Sequence, residues 1–199
     1  MKMNPSYFLN GCTGSGKSTL AKALQAKAGY QLLHLSLDGW LSLQGQAKWN
    51  RFSDKLAVWD RMLDGFHATI AAVIDAGNAV VVDHVLQEKR WLPLLSPVMA
   101  TREVYFIGVT CPAHVAQQRI DARGTKDTET IAFQLARIHR HETYDLIVDT
   151  VQEAPEMLAN RLLHLTRTAQ PRAFVEIMKR NGAEPTSPAD VANHTTPEK

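Results

Sequence analysis

The stretch "YFLNGCTGSGKST" at residues 7–19 decides the fold. Tyr7-Phe8-Leu9 is a short apolar run, as a buried strand requires. The next residues satisfy G-x-x-x-x-G-K-[ST], from Gly11 to Ser18. Glycines let such a loop curl until its backbone N–H groups face inward on phosphate oxygens. A helix opening at Lys17 would add its positive N-terminal end. The expected phosphate-binding set is Gly11, Cys12, Thr13, Gly14, Ser15, Gly16, Lys17, Ser18 and Thr19. Lys17 should reach the β and γ phosphates, and the Ser18 hydroxyl should hold Mg²⁺. Strand, loop and helix together point to a nucleoside triphosphate of the ATP type.

Outward from the loop, strands and helices alternate. Residues 6–10 read as a strand and 17–28 as a helix closed by Gly29. "QLLHLSLD" at 31–38 alternates and predicts a second strand. After Ser53, Leu56, Trp59, Met62, Leu63, Phe66, Ile70, Val73 and Ile74 form one helical stripe. "NAVVVDH" at 78–84 is a continuous run built on β-branched Val80-Val81-Val82, as suits a parallel strand covered on both faces. "EVYFIGVTC" at 103–111 predicts a fourth strand, with Pro112 opening a helix. Residues 128–141 predict a helix, 145–150 a last strand, and 153–166 and 171–180 closing helices. The pattern predicts an α/β fold, a five-stranded parallel sheet with helices on both faces, in one domain over 1–180. The polar residues 181–199 read as a disordered tail.

Composition narrows the class. The chain has 199 residues, 45% apolar and 21% charged, with a net charge of +2. No charge run argues for a nucleic-acid or membrane surface. Cys12 and Cys111 lie far apart, which fits a reduced compartment and no zinc site. The glycine loop begins too early for a signal peptide, and no apolar stretch is long enough to span a bilayer. A cytoplasmic protein is expected, and a homo-oligomer is left open.

Sites in open parallel sheets lie at the carboxyl ends of the strands. Asp38, at the end of the second strand, is either a turn former before Gly39 or a general base that orients an acceptor hydroxyl. Asp83 ends the third apolar strand, the usual place of a magnesium partner. His84 beside it and Trp40 after Asp38 are candidates for an acceptor pocket. Arg119, Arg123 and Lys126 flank Gly124-Thr125. They are either a solvated basic face or a lid over about 119–130 whose cations close on the moving phosphoryl group. His139 and His141, two apart on a helix, should point apart and form no metal site.

The chain resembles the chloramphenicol phosphotransferase-like family of P-loop kinases. The likeness rests on the loop with its strand, "LD" at 37–38, "VVVDHV" at 80–85 and "GVTC" at 108–111. Its narrowest part is "ARG" at 122–124, followed by "Q…IH…TYDLIVDT" from Gln134 to Thr150. The resemblance implies the P-loop fold, strand order 2-3-1-4-5 and ATP- and Mg²⁺-dependent phosphorylation of a small-molecule hydroxyl. It puts the family's catalytic aspartate on Asp38. Two departures stand out: the family's paired aspartates are Asp83-His84 here, and its Arg-Gly-Asp-Arg lid is Arg123-Gly124-Thr125-Lys126. A kinase of nucleotides, sugar nucleotides or nucleic-acid ends, as in the zeta toxins, is one alternative. A nucleotide-dependent switch that transfers nothing is another.

Overall fold

The computed structural model describes residues 3–43, 52–124, 128–141 and 143–185. Five parallel strands form one sheet: β1 (Ser6–Asn10), β2 (Leu32–Ser36), β3 (Ala79–His84), β4 (Val104–Thr110) and β5 (Leu146–Asp149). Their order is β2-β3-β1-β4-β5. The helices are α1 (Lys17–Lys27), α2 (Leu37–Leu41), α3 (Phe52–Asp75) and α4 (Trp91–Met99), then α5 (Ala113–Asp121), α6 (Thr128–Leu135), α7 (Pro155–Thr168) and α8 (Ala173–Arg180).

β1 is buried along its whole length between β3 and β4. Alternate side chains therefore feed two different cores. Phe8 joins Val82, Phe106, Phe66 and Phe174 beneath α3, α4 and α8. Tyr7 and Leu9 join Val81, Ile107, Leu20 and Leu158 beneath α1 and α7. A third cluster, with Cys12, Cys111, Ile120 and Ile138, underlies α5 and α6. The parallel register sets Leu9 against Asp83, and Thr110 against Asp149, so the carboxyl ends of the strands form one rim.

Three elements depart from the expected pattern. β2 stops at Ser36, whose hydroxyl accepts from the Gly39 N–H at 3.0 Å and caps α2. Asp38 consequently sits in the first turn of a short helix and not at a strand end. α4 has no counterpart in the expected pattern, and it carries two prolines. Pro93 falls in the first turn, where no N–H is required, and Pro97 costs one interior bond. Burial of Trp91, Leu92, Leu95 and Met99 holds the helix despite that loss. The helix expected over 128–141 ends at Leu135, and residues 136–141 are turns. Thr125, Lys126 and the tail from residue 186 lie outside the described residues.

Candidate active site

The phosphate loop joins β1 to α1 without slack. A Cβ on Gly11 would lie 2.2 Å from the Val109 carbonyl oxygen, so only glycine lets the loop leave the sheet so close to β4. Gly14 has φ +78°, and a Cβ there would lie 2.5 Å from the Ala116 carbonyl. Gly16 precedes α1 as its N-cap, and the helix has no side-chain cap and no acidic residue in its first turn. Its first N–H groups are thus open to an anion. Gln134 braces the loop from α6, its Oε1 accepting from the Thr13 N–H at 2.7 Å. Thr150, after β5, donates from its hydroxyl to the Ser15 carbonyl at 2.7 Å.

Three polar groups converge at the start of α1. Lys17 Nζ donates to the Cys12 carbonyl at 2.9 Å and lies 3.7 Å from Asp83 Oδ1. The Ser18 hydroxyl donates to Asp83 Oδ2 at 2.5 Å. His34 on β2 brings Nε2 to 3.8 Å from the same oxygen, beyond hydrogen-bond reach. Burial of Asp83 pushes its carboxyl up, but His34, Lys17 and Ser18 outweigh it and hold the group below the usual carboxylate range. Asp83 is therefore an ionised, buried oxygen donor beside a hydroxyl. Two hard oxygen ligands at a phosphate loop suit Mg²⁺.

A narrow cleft of about 40 Å³ connects these groups, lined also by Asp38, Val85 and Arg123. A second cavity of about 410 Å³ lies behind the loop, between Gly16, Leu20, Arg119, Thr150 and Pro155. Arg119 Nη1 donates to Thr150 Oγ1 at 2.9 Å and to the Gly14 carbonyl at 3.2 Å. It thus braces the loop and walls the second cavity. Arg123, in the turn after α5, lines both cavities.

Two expected pocket residues face elsewhere. His84 is fully buried, stacked on Phe8 at 5.7 Å and on His67 at 5.1 Å. Its Nε2 meets His67 Nε2 at 2.9 Å, and burial drives its pKa well below the usual value. It lies beneath the cleft floor, where Val85 takes the lining position. Trp40 donates from Nε1 to the Met62 carbonyl at 2.7 Å and packs on Phe66, which pins α2 to α3. Both are bridges between elements and not walls of the cleft. His139 and His141 do not diverge as on a helix: Nδ1 and Nε2, respectively, approach the Tyr144 hydroxyl at 2.7 and 3.1 Å. Asn10 joins that hydroxyl at 2.7 Å.

Sequence reasoning gave no role to His34, Gln134 or Thr150. The only local signal for His34 was a polar residue inside an alternating strand.

The family model for chloramphenicol phosphotransferase-like protein matches residues 7–167. A Mycobacterium tuberculosis protein provisionally named an O-phosphotransferase is 26% identical over 197 residues, which covers 87% of each chain. Among solved structures, the Mycobacterium tuberculosis APS kinase in complex with AMPPNP and APS superimposes with a TM-score of 0.66 at 17% identity. That match covers 84% of this chain and 100% of the other. Shikimate kinase from Acinetobacter baumannii, in complex with shikimate, gives 0.58 at 16% identity, over 82% and 93% of the two chains. At these identities the structural likenesses show a shared fold. No helix among the described residues is long and apolar enough to cross a membrane.

Proposed function

The chain belongs to the chloramphenicol phosphotransferase-like family, and from that premise we propose that it is an ATP-dependent kinase of a small-molecule hydroxyl, with Asp38 handling the acceptor. One observation carries the proposal. Lys17, Ser18, Asp83, Asp38 and Arg123 line one cleft at the carboxyl rim of the sheet. That set contains a donor grip, a cation partner and a second carboxylate not engaged by the first.

In this mechanism the acceptor oxygen bonds to the γ phosphorus as the bond from that phosphorus to the β–γ bridging oxygen breaks. The hydroxyl proton passes to the Asp38 carboxylate, and ADP leaves. Asp38 is exposed in the first turn of α2, free of the buried network around Asp83. Its work is chiefly to orient the hydroxyl in line, since a loose transition state asks little of the base. Lys17 and Arg123 offset charge on the bridging and γ oxygens. A magnesium ion held by Ser18 and Asp83 would neutralise charge on the β and γ oxygens. The cavity walled by Arg119, Leu20 and Pro155 has room for the nucleoside.

The test is ADP release with MgATP, with and without a panel of hydroxyl compounds headed by chloramphenicol. A kinase releases ADP well above its water background with at least one acceptor. Equal release with every compound and with water alone would leave a hydrolysing switch as the better description.

A further inference from the structure

The largest of the cavities described lies beside the phosphate cleft and has a volume of about 620 Å³. Its walls are the chain after β3, the start of α4, the turns after α6 and the end of α8. It shares a partition with the cleft. Val85 lines the cleft, and the next residue, Leu86, lines the cavity. Gln134 accepts from Thr13 of the cleft through Oε1, and its carbonyl accepts from the N–H of Arg137 in the cavity at 2.8 Å. Asn10, just before the phosphate loop, ties both sides of the partition. Its Oδ1 accepts from Leu86 N–H at 2.9 Å, and its Nδ2 donates to the Ile138 carbonyl at 2.9 Å. The cavity and the cleft thus lie on either side of one hydrogen-bonded segment of chain.

The cavity is cationic. Lys89, Arg137, Arg140 and Arg180 line it against one carboxylate, Glu88. None of the four cations forms a salt bridge with a described residue. Two of them are held in place by neutral groups. Arg137 lies 3.4 Å over the Phe133 ring and donates to the Phe133 carbonyl at 3.2 Å. Arg180 donates from Nη2 to the His141 carbonyl at 2.9 Å. Each guanidinium keeps further donors for another partner. On the same wall, Gln87 carries a buried Oε1 with no hydrogen-bond partner among the described residues. A buried acceptor left unpaired costs stability, and a ligand donor would satisfy it.

Like charges gathered in one concavity repel each other until an anion joins them, and guanidinium forks fit the two oxygens of a carboxylate or phosphate. We infer that this cavity binds an oxyanion carried by the acceptor, so that the phosphorylated compound is an anionic alcohol, a hydroxy acid or a hydroxyl-bearing phosphate ester. Arg140 and Arg180 grip the oxyanion, and Gln87 takes an N–H or O–H of the same molecule. Chloramphenicol carries no ionised oxyanion, so this substrate class differs from the one in the family's name. The acceptor half of the inference rests on the kinase reading above.

Two measurements on the full chain test it separately from that reading. With the nucleotide site filled by a non-hydrolysable ATP analogue, inorganic phosphate is titrated calorimetrically into the wild type, Arg140→Gln and Arg180→Gln. The wild type should bind a further phosphate, and each variant should weaken that binding about tenfold, the loss of one charge-assisted hydrogen bond. ADP release is then measured on matched acceptors: a hydroxy acid and its amide, a sugar phosphate and its free sugar. The anionic member should be used, and the variants should raise its KM more than they lower kcat. Whichever pair responds identifies carboxylate or phosphate as the group recognised. No further phosphate bound, or binding untouched by both variants, overturns the cavity as an oxyanion site. Equal use of the neutral partners overturns the anionic acceptor. Phosphate binding that responds to the variants while no acceptor is phosphorylated upholds the oxyanion site and refutes the kinase reading.

Discussion

Acid should loosen the floor of the active site, and one histidine accounts for a measurable share. His67 on α3 is buried against His84, Phe66 and Trp91. Burial first, and the nearby Arg90 second, push its pKa down to about 4 from an ordinary 6.5. The folded chain therefore keeps this ring neutral at a pH where the unfolded chain protonates it. Its contribution to stability is whole above about pH 6.5 and lost as pH falls from there toward 4. At pH 4.5 the loss amounts to about 2.5 kcal/mol. Against a total of roughly 5–15 kcal/mol, that moves a urea midpoint by about 1 M. His84 acts in the same direction, so the wild type should lose more than this single share. His67→Gln keeps a hydrogen-bonding group near His84 but cannot titrate. Urea unfolding of both chains at pH 7.5 and 4.5 reads the share of His67, together with the smaller relief of His84, whose pKa His67 helps to lower. The difference in stability between the two pH values should be about 2.5 kcal/mol smaller in the variant. An equal difference in both chains would refute a neutral, buried His67 and with it the core assigned beneath Asp83.

Three further variants probe the cleft. Asp38→Asn should lower kcat by about 10²–10⁴-fold with little change in ATP binding, read by steady-state kinetics and nucleotide titration; a matching loss of ATP binding would make Asp38 structural. Gly14→Ala places a Cβ 2.5 Å from the Ala116 carbonyl at φ +78°, so it should lower stability by about 1–3 kcal/mol and abolish ATP binding. Unchanged binding would mean that the loop does not hold the nucleotide in this shape. Gln134→Ala removes the acceptor of the Thr13 N–H and should weaken ATP binding by about 1–3 kcal/mol, measured by calorimetry.

The parts that local chemistry determines were readable in advance. The run Ala79–Val82 and the loop Gly11–Ser18 carry their structure in their own residues, and they set the order of events along the chain. The short helix α2 escaped because Leu37 continues the alternation of β2, and only the Ser36 cap ends it. α4 was assigned no element in advance: proline at 93 and 97 disfavours a helix locally, while the buried Trp91 and Met99 that outweigh it depend on tertiary packing. The site divides in the same way. Lys17, Ser18 and Asp83 lie where strand ends and a glycine loop put them. The braces Gln134 and Thr150 touch the loop from more than 100 residues away, a distance over which sequence spacing carries no geometry. His84 failed as a pocket residue for a related reason: register decides which face of β3 it occupies, and that face is the aromatic core.

The most direct test of kinase chemistry is the mass of the acceptor itself. Wild type and Lys17→Ala are incubated with MgATP and pooled hydroxylated antibiotics, nucleosides, sugars and hydroxy acids, and the small molecules are analysed by mass spectrometry. Phosphotransfer predicts that one class of compound gains a single phosphoryl group with the wild type and none with the variant, whose fold is checked by circular dichroism. ADP formed by the wild type with no compound gaining mass, or the same phosphorylated product from a folded Lys17→Ala, would contradict it.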